Sequence, residues 1–219
     1  MLQSSTLKFL KDLKKNNDKS WFERHRKQYE IAKADFLLLA GQVIKSISGF
    51  DSSIGNLEAK NCTFRINRDV RFSKNKDPYK SNMAAYFNKD GKKALGSGYY
   101  LHIEPGKSFA AGGIWMPEPG VLAGIRQEID YSFTEWKKIV ESKSFKKIFP
   151  EGAKGDALTR PPKGYFETNP AIEYLKMKSF IVSKSFSDAE VQNKNFISDV
   201  AKTFQAMKPL IDFLNTAIE

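Results

Sequence analysis

The chain has 219 residues, of which 36 are Lys or Arg and 25 are Asp or Glu, for a net charge of +11. A domain of this length buries roughly 70% of its unfolded-state surface, so it needs no disulfide or metal staple. Its one cysteine, Cys62, cannot pair within the chain. With no signal sequence in view, that usage predicts a reducing, cytoplasmic setting. No apolar run approaches the roughly 20 residues of a membrane span, and the positive balance makes nucleic acid or another polyanion an expected partner.

From Ser5 to Asn16, Leu7, Phe9, Leu10 and Leu13 suit a short amphipathic helix that Asn16-Asn17 stops. Ser20 and Glu23 have capping-box spacing, and Phe22, His25, Tyr29, Ala32, Phe36, Leu39, Val43 and Ile47 follow at steps of three and four. The pattern predicts one long helix to Ser48, with His25 half-buried and hydrogen-bonded in its stripe. These two helices form an expected N-terminal pair over 5–48, followed by a loop around Gly49 and Gly55.

The stretch from Cys62 to Lys80 combines strand periodicity with dense positive charge. Cys62, Phe64, Ile66, Val70 and Phe72 fall on one face of an extended chain, and Thr63, Arg65, Asn67, Asp69, Arg71 and Ser73 fall on the other. Arg68 breaks the alternation and predicts a bulge near Asn67; Asn75 and Asp77-Pro78 signal a turn. Between 61 and 80, six basic residues face two acids, a local charge of +4.

Three further strands follow, at 83–88, at 99–104 and in the SFAAGGIWM run, with turns at Lys89-Asp90-Gly91 and Pro105-Gly106-Lys107. Such short connections require antiparallel pairing, which makes the sheet over 61–116 a meander. Within 99–104, Tyr99, Leu101 and Ile103 alternate with Tyr100, His102 and Glu104. Gly112-Gly113 allows either a close backbone approach, its commoner meaning, or floor space for a ligand.

Helices are expected through Val121, Leu122, Ile125 and Ile129 and through Phe133, Trp136, Ile139 and Val140, where Ser132 and Glu135 repeat the capping-box spacing. Pro150 to Pro170 forms a Gly/Pro-rich loop on a functional face or a merely mobile one, and a helical turn near 171–176 closes the segment 120–176. A fifth strand from Lys178 buries Phe180, Val182 and Phe186. Ser187 and Glu190 then open a terminal helix that Pro209 breaks or kinks, completing 178–218. The whole is predicted as one α+β domain, two-layered, with a mostly antiparallel sheet of about five strands packed against helices.

The segments FLKDLKKNNDKSWFERHRKQYE, RINRDVRFSKNKDPYK, GYYLHIEPG and GGIWMPEPGVLAGIRQEID, in this order, resemble a conserved bacterial and fungal family, domain of unknown function 2461. The resemblance runs from about residue 5 to the C-terminus. It implies no established substrate, cofactor or reaction. Asn75 departs from the aspartate expected after Arg71-Phe72-Ser73.

The residues leave three functions open. The leading one is a binding module for a phosphate- or carboxylate-bearing anion, using Arg65, Arg68, Arg71, Lys74, Tyr79 and Lys80. A second is an enzyme on a small anionic substrate, with His102 and Glu104 as acid-base candidates beside Arg65 or Arg71. A third is an interaction module for an acidic protein. Stacking support for nucleic acid is thin, because Phe72 and Phe87 have core positions. No phosphate loop, nucleophile elbow or zinc spacing is present, so no cofactor or metal is expected, and Cys62 is assigned to packing.

Overall fold

A computed structural model describes residues 1–89, 91–92 and 95–218. Its elements in chain order are α1 (Ser4–Lys15), α2 (Lys19–Arg24), α3 (Arg26–Ile47), a 3-10 turn at Ser52–Ile54, α4 (Ala59–Cys62), β1 (Met83–Phe87), β2 (Gly98–Ile103), β3 (Ser108–Ile114), α5 (Pro119–Tyr131), α6 (Phe133–Val140), α7 (Lys143–Ile148), α8 (Ile172–Leu175), β4 (Phe180–Phe186), α9 (Asp188–Val191) and α10 (Phe196–Thr216). The fold is α+β, and the strands form one antiparallel sheet in the order β1-β2-β3-β4, the expected meander with four strands in place of about five. Asp90 of the expected turn after β1 lies outside the described residues.

Two compact units divide the chain: Met1–Lys93 with Tyr100–Ala110 and Ser185–Lys202, and Ala94–Tyr99 with Ala111–Lys184 and Thr203–Glu219. In the first, α1 buries Leu7, Phe9, Leu10 and Leu13 and packs on α3, which buries Phe36, Leu39, Val43 and Ile47. The long helix expected from Ser20 is instead two. Asp18, rather than Ser20, caps α2 by accepting from Trp21 N, and the helical path breaks at His25, whose φ is −107° and ψ 17°. There His25 stacks on Trp21 at 3.9 Å while its Nδ1 bonds the Trp21 carbonyl at 2.8 Å. The Trp21 carbonyl thus accepts from the His25 backbone N–H at 3.1 Å and faces the imidazole as well.

The missing fifth strand is the basic stretch. Cys62 ends the single turn of α4, and beyond it only two isolated bridges form, Thr63 with Ala85 and Asn67 with Tyr79. Between those bridges, the path from Thr63 to Asn67 is two residues shorter than the path from Tyr79 to Ala85. The pairing register therefore slips, which prevents a continuous ladder. The proposed apolar face separates accordingly: Cys62 and Ile66 are buried, but Phe72 is 96% exposed, against its expected core position.

In the second unit a Cβ on Gly113 would stand 1.9 Å from the Phe180 carbonyl oxygen, and the residue has φ +123°. At Gly112 a Cβ would meet side chains instead, Met207 Sδ at 2.7 Å and Met207 Cβ at 3.2 Å. The glycine pair thus serves close approach and leaves no ligand floor. The loop over 150–170 is pinned through bridges from Lys154 to Ile181 and from Ala157 to Met177. Pro209 lies inside α10 without ending it. Loss of one helical hydrogen bond and the ring clash cost about 3 kcal/mol. Burial of Met207, Leu210, Ile211 and Leu214 offsets this, at roughly 2 kcal/mol per large apolar side chain.

Candidate functional site

The structure sorts the basic residues of 65–80 into different roles. Arg71 donates to Asp69 through Nε at 3.0 Å and through its terminal nitrogen at 2.7 Å. That hydrogen bonding holds the Asp69 carboxyl below the usual carboxylate range. Arg68 lies 3.9 Å from Asp77 and donates to Ser73 Oγ at 3.4 Å, while Lys74 is exposed. Tyr79 is a core residue, 6% exposed and stacked on Phe22 at 4.0 Å. Its backbone is clamped by Asn17, which donates to the Tyr79 carbonyl and accepts from its N–H.

Arg65 lines a cleft, and Lys80 is tied to its wall. On one side α3 presents Tyr29, Lys33 and Phe36, spaced four and three apart and so on one helical face. On the other side Arg65, Phe64 and Lys92 complete a cleft of about 270 Å³. Lys80 touches two lining residues, donating to the Arg65 carbonyl at 2.9 Å with its ammonium 5.6 Å from the Phe64 ring centroid. Lys92 donates to the Thr63 carbonyl at 2.5 Å. Two ammonium groups are thus anchored on carbonyls two residues apart, with the Arg65 side chain in the same segment.

Among the described residues no carboxylate forms an ion pair with Arg65, Lys80 or Lys92. The cost of this arrangement appears at Lys80, whose ammonium is pushed below its ordinary value by burial first and then by Arg65 and Lys92. Like charges gathered in a partly desolvated place favour an anion between them. Lys33, on the opposite wall, is 3.6 Å from Glu30. Cys62, close enough to feel Lys92, has its thiol pushed up to about 11 by burial, with Lys92 opposing. It is a protonated packing residue at neutral pH.

On β2 the expected alternation holds. Tyr99, Leu101 and Ile103 are fully buried, and Tyr100 and His102 occupy the other face. Tyr100 Oη is 3.1 Å from His102 Nδ1, and His102 Nε2 is 3.4 Å from Glu104 Oε2. The expected arginine partner is replaced, because the basic stretch is not a neighbouring strand. Glu104 Oε1 instead accepts from Lys14 at 3.1 Å and from Ser81 at 3.3 Å. Burial pushes the His102 imidazolium down, against Glu104, which raises it. For Glu104, burial raises the carboxyl, but hydrogen bonds from Lys14 and His102 outweigh it and hold the group below its ordinary value.

The family model described as Conserved hypothetical protein (DUF2461) matches residues 5–213. The chain belongs to that family. Comparisons with curated proteins and with solved structures find no match. Among the described residues of this DUF2461 protein, no group of three or more His, Cys, Asp or Glu could hold a metal ion.

The sequence of this DUF2461 chain singles out Arg65, Lys80, Tyr100, His102 and Glu104 but gives no role to Lys33, Lys92 or Lys14. Tyr100 had a legible signal, since it shares the strand face of His102 and Glu104. Lys92 had none, because its position depends on where the chain passes after β1.

Proposed function

We propose that this DUF2461 protein is a binding module for a small phosphate- or carboxylate-bearing ligand, held in the cleft by Arg65, Lys80 and Lys92 with Lys33 opposite. The observation that carries the proposal is Arg65 and Lys92 in the cleft lining with Lys80 donating to the Arg65 carbonyl beside them, none of the three in an ion pair with a carboxylate among the described residues. Arg65 supplies the planar fork suited to two oxygens of one anion, and the lysines supply point charges. Phe64 and Tyr29 offer apolar contact beside them.

A concave site of this size suits a small molecule better than the flat patch that an acidic protein requires. Of the aromatic residues in the basic stretch, Tyr79 is in the core and offers no stacking face, whereas the exposed Phe72 lies outside the cleft. The proposal includes a reducing, cytoplasmic setting, supported by the single, buried cysteine.

The test is a thermal-shift panel with pyrophosphate, nucleoside phosphates, sugar phosphates and di- and tricarboxylates, repeated on Arg65→Ala and Lys92→Ala. A ligand at about 100 times its Kd stabilises the protein by about 2.7 kcal/mol. At least one anion should raise the parent's midpoint and fail to raise that of either variant. Equal shifts in parent and variants, or no shift from any anion at low salt, overturn the proposal. Binding of oligonucleotides alone, with a steep salt dependence, replaces it with a nucleic-acid surface.

A further inference from the structure

Outside the cation cleft, the outer face of β2 carries a second arrangement: Tyr100, His102 and Glu104 in a row at alternate positions. Each member touches the next, Oη to Nδ1 at 3.1 Å and Nε2 to Oε2 at 3.4 Å. The carboxylate end is fixed by Lys14 and Ser81. The imidazole is fixed as well, because Phe109 stacks on it at 4.7 Å with 15° between the planes. With Nε2–H donating to Glu104, the histidine must present Nδ1 as an acceptor to the phenol. A hydroxyl, a base and a group that orients the base are the parts from which activated nucleophiles are built.

We propose that Tyr100 is a reactive tyrosine, a nucleophile toward a phosphoryl electrophile, with His102 as its general base and Glu104 as the residue that positions the imidazole. In the step, the Tyr100 Oη–P bond forms as the bond from phosphorus to the leaving oxygen breaks. The phenolic proton passes to His102 Nδ1, which releases it to solvent, and the leaving oxygen, in line on the far side of phosphorus, departs with the bonding pair and takes its proton from solvent. Burial supports this division of labour: it disfavours charge on His102, keeping the imidazole able to accept a proton, and it raises the phenol of Tyr100, so the oxygen needs that base. Phe64 connects the two sites, its ring centroid 6.3 Å from that of Tyr100 and 5.6 Å from the Lys80 ammonium. Phe64, which lines the cleft, thus stands between it and Tyr100. Only the phosphoryl class rests on the proposed anion cleft; the reactivity of Tyr100 does not.

An uncharged arylsulfonyl fluoride tests that reactivity without a known substrate: the S–F bond breaks, an Oη–S bond forms, fluoride leaves and His102 takes the proton. Modification is followed by peptide mass spectrometry, with Tyr131, 90% exposed, as the internal reference. Tyr100 should react at least about tenfold faster than Tyr131 despite its burial, since a positioned base contributes about 100-fold or more. His102→Gln should remove that advantage, and imidazole in solution should restore it to His102→Ala, which a purely structural histidine would not show. Glu104→Gln should slow Tyr100 less than His102→Gln does. Tyr131 reacting first, or Tyr100 reacting equally fast in parent and folded His102→Gln, overturns the proposal. A slow Tyr100 in a protein that binds pyrophosphate sinks the reactive centre alone. A fast Tyr100 in a protein that binds no anion sinks only the phosphoryl class.

Discussion

Substituting Gly113→Ala separates two meanings of the glycine pair in β3. Its φ of +123° belongs to glycine, and a Cβ would meet the Phe180 carbonyl oxygen at 1.9 Å and the carbonyl carbon at 3.0 Å. The conformation alone costs an alanine about 1–3 kcal/mol. Both close atoms are backbone, so no side chain can turn away and the strand carrying Phe180 must move. Overpacking of this kind adds about 1–3 kcal/mol or more, giving roughly 4 kcal/mol together. Gly106→Ala is the control, with φ +74° and no heavy atom within 4 Å of the added Cβ, and it should cost about 1 kcal/mol, the lower end of the left-handed penalty. For a chain of this length each 1 kcal/mol lowers Tm by about 2–4 °C. Calorimetry should therefore show a loss of about 8 °C or more for Gly113→Ala and of about 2–4 °C for Gly106→Ala. Equal losses would refute the close-approach argument, and an unchanged Tm with weakened anion binding would restore the ligand floor.

Tyr79→Ala should cost about 3 kcal/mol in urea denaturation through loss of a buried ring, while Tyr79→Phe should leave anion binding unchanged. A binding defect in the phenylalanine variant would return Tyr79 to the site. Asp188 accepts from Gly106 N–H at 2.7 Å and pairs with Lys11 at 3.0 Å, and these contacts, Gly106 first, hold its carboxyl below the ordinary value. Its stabilisation is complete above the unfolded value, near 3.9, and is lost as pH falls through the lower folded one. The stability gap between parent and Asp188→Asn should narrow from pH 5 downward; a constant gap would contradict the pairing. Arg126, missed in the sequence, donates to the Leu175 carbonyl at 2.6 Å and the Met177 carbonyl at 3.1 Å. Arg126→Met should cost about 2 kcal/mol by chemical denaturation, and an unchanged midpoint would show that these bonds add nothing.

Local signals were legible where local geometry decides the outcome. The Ser187–Glu190 capping box forms in full, and the alternation from Tyr99 to Ile103 placed Tyr100 and His102 on the right face of β2. The same capping-box spacing at Ser132 and Glu135 produces no side-chain cap, because α5 runs directly into α6 and Ser132 has φ −105° and ψ 35° rather than an extended backbone. The basic stretch misled because its alternation joined residues with different tertiary fates, Ile66 buried and Phe72 exposed. Charge density singled out the segment that forms one wall of the cleft. It could not tell Arg71, satisfied by Asp69, from Arg65, which has no such partner among the described residues. Nor could it bring in Lys92, whose contact with Thr63 spans 29 residues.

The central claim is tested most directly by isothermal titration calorimetry of pyrophosphate, or of the best anion from the thermal-shift panel, into the parent and the Arg65→Ala/Lys92→Ala double variant. Two charge-assisted hydrogen bonds at about 1.5 kcal/mol each predict a loss of about 100-fold in Kd, with Arg71→Ala binding like the parent. Equal affinity in parent and double variant, or a loss confined to Arg71→Ala, would contradict the assignment of the cleft.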